Sequence, residues 1–95
     1  MIKVVLTGNF ESMLQELNAS DPYSFDLTQL QIKRFKRIPK DSRLANHALK
    51  RWMKDKWAFN VDDDIRIVYE WLGKTTVRFL AIGPHHKVYK KEKAR

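Results

Sequence analysis

Ile65-Arg66-Ile67-Val68-Tyr69-Glu70-Trp71-Leu72-Gly73-Lys74-Thr75-Thr76-Val77-Arg78-Phe79-Leu80-Ala81-Ile82 lies inside a longer stretch, Ala58 to Tyr89, that reads as a β-meander. Ile65 to Leu72 and Thr75 to Ile82 are rich in β-branched and aromatic residues, the side chains that fit a pleated, half-buried surface. Leu72-Gly73-Lys74 supplies a short connection between them. Asp62-Asp63-Asp64 makes the turn that precedes them, because short acidic side chains bond their own backbone in turns. Alternation puts Ile65, Ile67, Tyr69 and Trp71 on one face of their strand and Arg66, Val68 and Glu70 on the other. A charged Arg66 in the middle of an apolar strand requires a carboxylate partner or an anion.

Working outward to the N-terminus, Ile2 to Leu6 is a short β-run. Thr7-Gly8-Asn9 offers a helix cap. Phe10, Met13, Leu14 and Leu17 then recur at i, i+3, i+4 and i+7, the signature of one buried helical stripe. Asn18 to Pro22 ends that helix and opens a second, with Pro at its first turn. On the second helix Leu27, Leu30, Arg34 and Ile38 fall on one line, with Phe35 beside them, and Pro39 stops it. Asp41 to Asp55 is open to two readings: a third helix, from the spacing of Leu44, Ala48 and Trp52, or an extended connector. The order is β-α-α-(segment)-β-β-β. It predicts an α+β domain, with both helices on one face of a small, mostly antiparallel sheet and the other face left for function. Leu14, Leu17, Leu27 and Leu30 are expected to be buried against Val4, Ile67 and Phe79.

The 95 residues fit one domain over 1–95, with a basic tail at 90–95. There are no cysteines, so disulfides and thiolate metal sites are excluded. That fits a reducing cytoplasm. No apolar run reaches membrane-spanning length. The net charge is +8, which makes polyanions the natural partners. Residues 1–47 carry net +2 and residues 48–95 net +6, so the positive field belongs to the half that holds the meander.

Three histidines are the only side chains suited to acid–base work near neutral pH: His47, His85 and His86. On an extended segment His85 and His86 point to opposite sides and cannot chelate one metal, and no His pair stands at i, i+4. A metal site is therefore rejected, and no cofactor motif is present. Trp52, Trp57 and Trp71, with Tyr69 and Phe59, read as core by default, because a domain this small needs its large aromatics inside. Trp52, among Lys50, Arg51 and Lys54, is the one aromatic to weigh for base stacking. Imidazoles, an Arg and a Tyr on a basic face can cut RNA without a metal. The RNA supplies its own nucleophile, the 2′-OH, and the protein a base, an acid and a cation for the developing phosphorane charge.

Three motifs, in order, give the chain a resemblance to the RelE/ParE toxin superfamily, nearest the RelE, YafQ and YoeB mRNA interferases of type II toxin–antitoxin modules. They are His47-Ala48-Leu49-Lys50; Trp57-Ala58-Phe59-Asn60-Val61 followed by Asp64-Ile65-Arg66-Ile67-Val68-Tyr69; and Ile82-Gly83-Pro84-His85-His86-Lys87-Val88-Tyr89. The resemblance spans essentially the whole chain and implies a RelE-like fold. It implies a ribosome-dependent endoribonuclease that cuts mRNA in the ribosomal A site and is inhibited by a cognate antitoxin. Operator DNA would be met only through that antitoxin. Carried over by position, His47, Arg66, His85 and Tyr89 are the catalytic candidates, with His85 as general acid and His47 as general base, or the reverse. Lys50 and Lys54, extended by Arg51, Lys87 and Lys90, would hold RNA phosphates. The sequence departs from the pattern at Arg51, where many relatives have Gly, at Pro84, and at His86-Lys87. Leu80 and Ala81 also stand where some members carry an Arg. Two rivals remain on the same fold: a ParE-like inhibitor of DNA gyrase and a non-catalytic RNA-binding domain.

Overall fold

A computed structural model describes residues 1–89; the tail at 90–95, Lys90 included, lies outside the described residues. The chain runs β1 (Lys3–Leu6), α1 (Gly8–Ser20), α2 (Pro22–Arg37), β2 (His47–Ala48), β3 (Trp57–Asn60), β4 (Ile65–Trp71), β5 (Thr76–Pro84) and α3 (His85–Val88). The five strands form one sheet in the order β1-β5-β4-β3-β2. Only β1 and β5 pair in parallel; the other neighbours are antiparallel. The fold is thus α+β, as the sequence predicts.

Both helices lie on one sheet face. Phe10 of α1 and Phe35 of α2 join Phe59, Ile67, Tyr69, Val77, Phe79 and Ile82 in one buried cluster. Phe35 stacks on Phe59 at 4.6 Å and meets the edge of Tyr69 at 4.9 Å, offset and edge-on contacts that aromatic quadrupoles favour. The caps follow the local chemistry: Thr7 accepts from the Phe10 amide and Asp21 from the Ser24 amide. The Asp21 carboxyl is held below its usual range by those Ser24 hydrogen bonds.

The second helix turns differently from the expected line. Its buried residues are Ser24, Thr28, Gln31 and Phe35, while Leu30 is 43% exposed and Ile38 54% exposed. The expectation that Leu30 packs into the core is therefore corrected; Leu14, Leu17 and Leu27 do pack against it. The buried face carries a polar staple in place of a leucine. Gln31 Nε2 donates to the carbonyls of Arg43 and Asn60 at 3.1 and 3.0 Å, and its Oε1 accepts from Arg34. These bonds satisfy the amide of a glutamine that is 4% exposed, which is what allows it to take a core-facing position.

The segment between α2 and β3 is neither a helix nor a plain extended connector. It holds 3₁₀ turns at Ser42–Leu44 and Arg51–Met53 around the two-residue β2. A further correction concerns the end of the meander. Gly83 and Pro84 continue β5, paired opposite Arg66 and Ile65. His85 to Val88 is then a helical turn, not an extended segment. A bulge between Val68 and Tyr69 lets β5 carry Leu80 as an extra residue, so Phe79 faces the helices while Leu80 and Ala81 face the other side.

Tyr69 is fully buried and donates to Asn46 Oδ1 at 2.8 Å. Burial pushes its phenol up to about 12, an effect only partly offset by the Asn46 bond. A phenol whose folded pKa exceeds its unfolded value contributes stability below about pH 10 that is lost as pH rises through 12. Alkaline unfolding should therefore steepen between about pH 10 and 12. In Tyr69→Phe that part of the pH dependence should flatten, as measured by urea midpoints across the range.

Candidate active site

The face away from the helices has its own small core of Ala58, Val68 and Val88, with Leu49, Met53, Leu80, Ala81 and Tyr89 around it. Glu70 on this face pairs with Arg78 at 2.6 Å and with Lys56 at 3.4 Å. Arg78, and to a smaller degree Lys56, hold its carboxyl below the usual range. Those two cations are thus neutralised. Among the described residues, Lys50, Arg51, Lys54 and Arg66 enter no ion pair.

The acidic turn is a scaffold for two of the candidate groups. Asp62 Oδ1 accepts from the amides of Asp64 and Ile65 at 2.8 and 2.7 Å, which closes the turn. The Asp62 carbonyl then accepts from Arg66 Nη1 at 2.8 Å. The Asp64 carbonyl accepts from the His85 amide at 3.0 Å. Arg66 is therefore anchored by a backbone oxygen, not by a carboxylate, and the same turn fixes where the last helical turn begins. Val88 is buried beneath that turn. Gly83 runs under it, and a methyl group there would already touch Lys87 Cβ and Val88 Cγ1 at 3.8 Å.

The connector supplies the other side. His47 pairs with Ala58 and Ala48 with Trp57, which attaches the segment to the sheet edge. His47 Nδ1 lies 2.9 Å from the Ala45 carbonyl. A carbonyl only accepts, so Nδ1 is the donor in this contact, and in the neutral ring that leaves the Nε2 lone pair for a substrate proton. Arg51 and Asp55 both have left-handed φ, 59° and 78°, a conformation unfavourable for side chains with Cβ. A Gly at Arg51 would take this φ without the Cβ penalty.

These pieces enclose a 330 Å³ cleft lined by His47, Leu49, Lys50, Trp52, Met53, His85 and Tyr89. His85 meets the Tyr89 ring edge-on at 4.4 Å. The Tyr89 hydroxyl is buried and has no hydrogen-bond partner among the described residues. Burial pushes its pKa up, while the Arg66 guanidinium pulls it partly back; that cation is near, although not placed to donate a well-formed hydrogen bond. Arg66 itself is not on the cleft wall and reaches it through Tyr89. Arg51 and Lys54 are exposed beside the cleft, not on its wall. Lys87 lines a separate 280 Å³ cleft that also carries Glu16, Asp21 and Asp64.

Asn60 is the residue sequence reasoning missed. It pairs directly opposite Arg66 across β3 and β4, and its Oδ1 is buried without a partner among the described residues. Strand alternation from Phe59 would have placed it on this face. A larger groove, 690 Å³ between Ile2, Ile38, Pro39, Trp57 and Trp71, has Asp41 as its one acid. That carboxyl is held well below the usual range by its Arg43 partner, so the groove lacks the convergent acid–base groups of the smaller cleft. Among the described residues no three His, Cys, Asp or Glu side chains gather as metal ligands, and no helix is long and apolar enough to cross a membrane.

No family profile matches the sequence, and no curated protein matches it. Solved structures do match. A YoeB/ParE toxin from Agrobacterium tumefaciens superposes with a TM-score of 0.75 at 20% identity, over 88% of this chain and 99% of that one. YafQ from E. coli gives 0.68 at 18% identity, over 94% and 99%. A YoeB–YefM complex from Staphylococcus aureus gives 0.71 at 9% identity, over 90% and 98%. The chain has the RelE/YoeB/YafQ-like toxin fold.

Proposed function

We propose that this chain, which shares its fold with YoeB and YafQ, is the toxin of a toxin–antitoxin module and an endoribonuclease acting on mRNA at the ribosome. The observation that carries the reading is the 330 Å³ cleft, where two histidines, distant in sequence, meet Tyr89 and Lys50. His47 Nε2 takes the proton from the 2′-OH. The 2′-oxygen attacks phosphorus, the bond to the 5′-oxygen breaks, and His85 gives the leaving oxygen its proton. The products are a 2′,3′-cyclic phosphate and a 5′-hydroxyl. Arg66, held by the Asp62 carbonyl, offsets the charge that grows on the phosphorane, and Tyr89 links it to the cleft. Every proton in this scheme moves between RNA and side chains, so cleavage is expected to persist in chelator.

The partner is an acidic antitoxin, drawn to the basic half of the chain. The S. aureus YoeB–YefM complex supports a protein partner on this fold. DNA contact would come only through that partner.

The test is primer extension on mRNA-programmed ribosomes, with the termini of the fragments identified chemically. Discrete cuts ending in 2′,3′-cyclic phosphate are expected. The YoeB/ParE description of the Agrobacterium neighbour makes gyrase inhibition the second reading. Stalled DNA gyrase with intact mRNA would establish it in place of the first. Lys50 lines the cleft without an ion-pair partner. Lys50→Ala should therefore weaken RNA binding and make the salt slope of log K shallower by about 0.7. Its turnover at saturation should stay near wild type.

A further inference from the structure

Trp52 is 49% exposed, on a domain that places its other two tryptophans against the core. It stands on the 3₁₀ turn Arg51–Met53. Left-handed residues bracket that turn, Arg51 before the indole and Asp55 just beyond it. Strain of this kind persists only where the surrounding structure enforces it. The indole lines the cleft that also holds His47, Lys50, His85 and Tyr89. No carboxylate lines that cleft, and Lys50, Arg51 and Lys54 flank the indole in sequence.

We propose that Trp52 is a substrate-recognition residue: a nucleobase of the RNA, next to the bond held between His47 and His85, stacks on its indole face. This rests on the proposed reading of the cleft as an RNA site and assigns it a base-binding wall. The chemistry fits a nucleotide better than an apolar peptide. A nucleotide brings a flat π-face for the indole and an anionic phosphate for the adjacent Lys50, whereas a purely apolar anchor leaves that cation without a partner. Stacking tolerates every base, because each has a π-face. Trp52 therefore sets where the strand lies rather than which letter is read.

The experiment uses a single-stranded oligoribonucleotide with 2′-O-methyl groups throughout, which can bind but has no nucleophile to be cut. It is titrated against wild type, Trp52→Phe and Trp52→Ala, with binding followed by indole fluorescence and, separately, by anisotropy of a labelled oligonucleotide. In the wild type, saturable quenching of indole emission is expected. Trp52→Ala should lose that quenching and bind about 5- to 150-fold more weakly. Trp52→Phe, with a smaller ring, should recover part of the affinity. The salt slope should be the same in all three proteins, unlike that of Lys50→Ala. Unchanged affinity in Trp52→Ala, or no quenching in the wild type, overturns the proposal. So does loss of binding to an acidic protein partner in Trp52→Ala while oligonucleotide affinity is kept, since the indole would then belong to a protein interface. Quenching that depends on Trp52 in a protein that never cuts mRNA keeps the stacking site and rejects the ribonuclease reading instead.

Discussion

Replacing His85 by Ala should lower turnover of mRNA cleavage by about 10²–10⁴-fold, the usual worth of a positioned acid or base. The ring is exposed and makes its edge contact with Tyr89, so its loss removes little packing. What fixes His85 in place is its backbone amide on the Asp64 carbonyl, and that bond survives in alanine. The variant should therefore unfold at nearly the wild-type temperature and bind RNA nearly as well. The loss should appear in kcat and not in KM, because a proton donor acts on the leaving oxygen only as the bond breaks. The pH–rate profile should lose one limb, and the limb that disappears identifies His85 as acid or base. A folded His85→Ala that cuts at the wild-type rate would remove His85 from the mechanism.

Arg66→Ala is expected to cost about 10²–10³-fold in kcat, the scale of removing one preorganised charge from a phosphorane. This variant also has a structural cost. Arg66 Nη1 holds the Asp62 carbonyl, and the loss of one partly exposed hydrogen bond is worth about 1 kcal/mol. A second consequence separates charge from scaffold. The guanidinium lowers the Tyr89 pKa against the effect of burial, so its removal should push the phenol further up in an absorbance titration. Arg66→Lys keeps a cation but not the planar fork that donates to the Asp62 carbonyl from behind Tyr89. It should restore stability only in part and activity by less than tenfold. Turnover in Arg66→Ala equal to wild type would show that the cation serves the Asp62 turn alone.

The sheet was legible because its signal is local. Alternation from Ile65 to Trp71 and from Thr76 to Phe79 specifies which side chains face the helices, and a one-residue slip would move every one of them to solvent. The stripe Phe10, Met13, Leu14, Leu17 was legible for the same reason at a helical period. The line through Leu30 was not. A buried glutamine has no hydrophobic signature, and its partners, the carbonyls of Arg43 and Asn60, are distant in the chain. The helical turn at His85 was not legible either, because it begins where the His85 amide meets the Asp64 carbonyl, a contact between residues distant in the chain.

The sequence by itself determined the strand faces, the first helix stripe, the excess of positive charge and the short set of side chains able to move a proton. Each of these follows from residue type and spacing within one element. The tertiary structure alone decided which of them meet. His47 comes from a sheet edge and His85 from beyond the end of β5, and packing over Val88 and Ala58 brings both to one cleft. It also decided that Arg66 stands behind Tyr89, that Lys87 faces a separate, acidic cleft and that Trp52 stays in the open. Those placements depend on the Asp62 and Asp64 carbonyls, which accept from Arg66 Nη1 and from the His85 amide, and on the left-handed residues Ala45, Arg51 and Asp55 in the connector. Every residue carries a backbone carbonyl, and so which carbonyls serve as acceptors leaves no trace in the order of side chains.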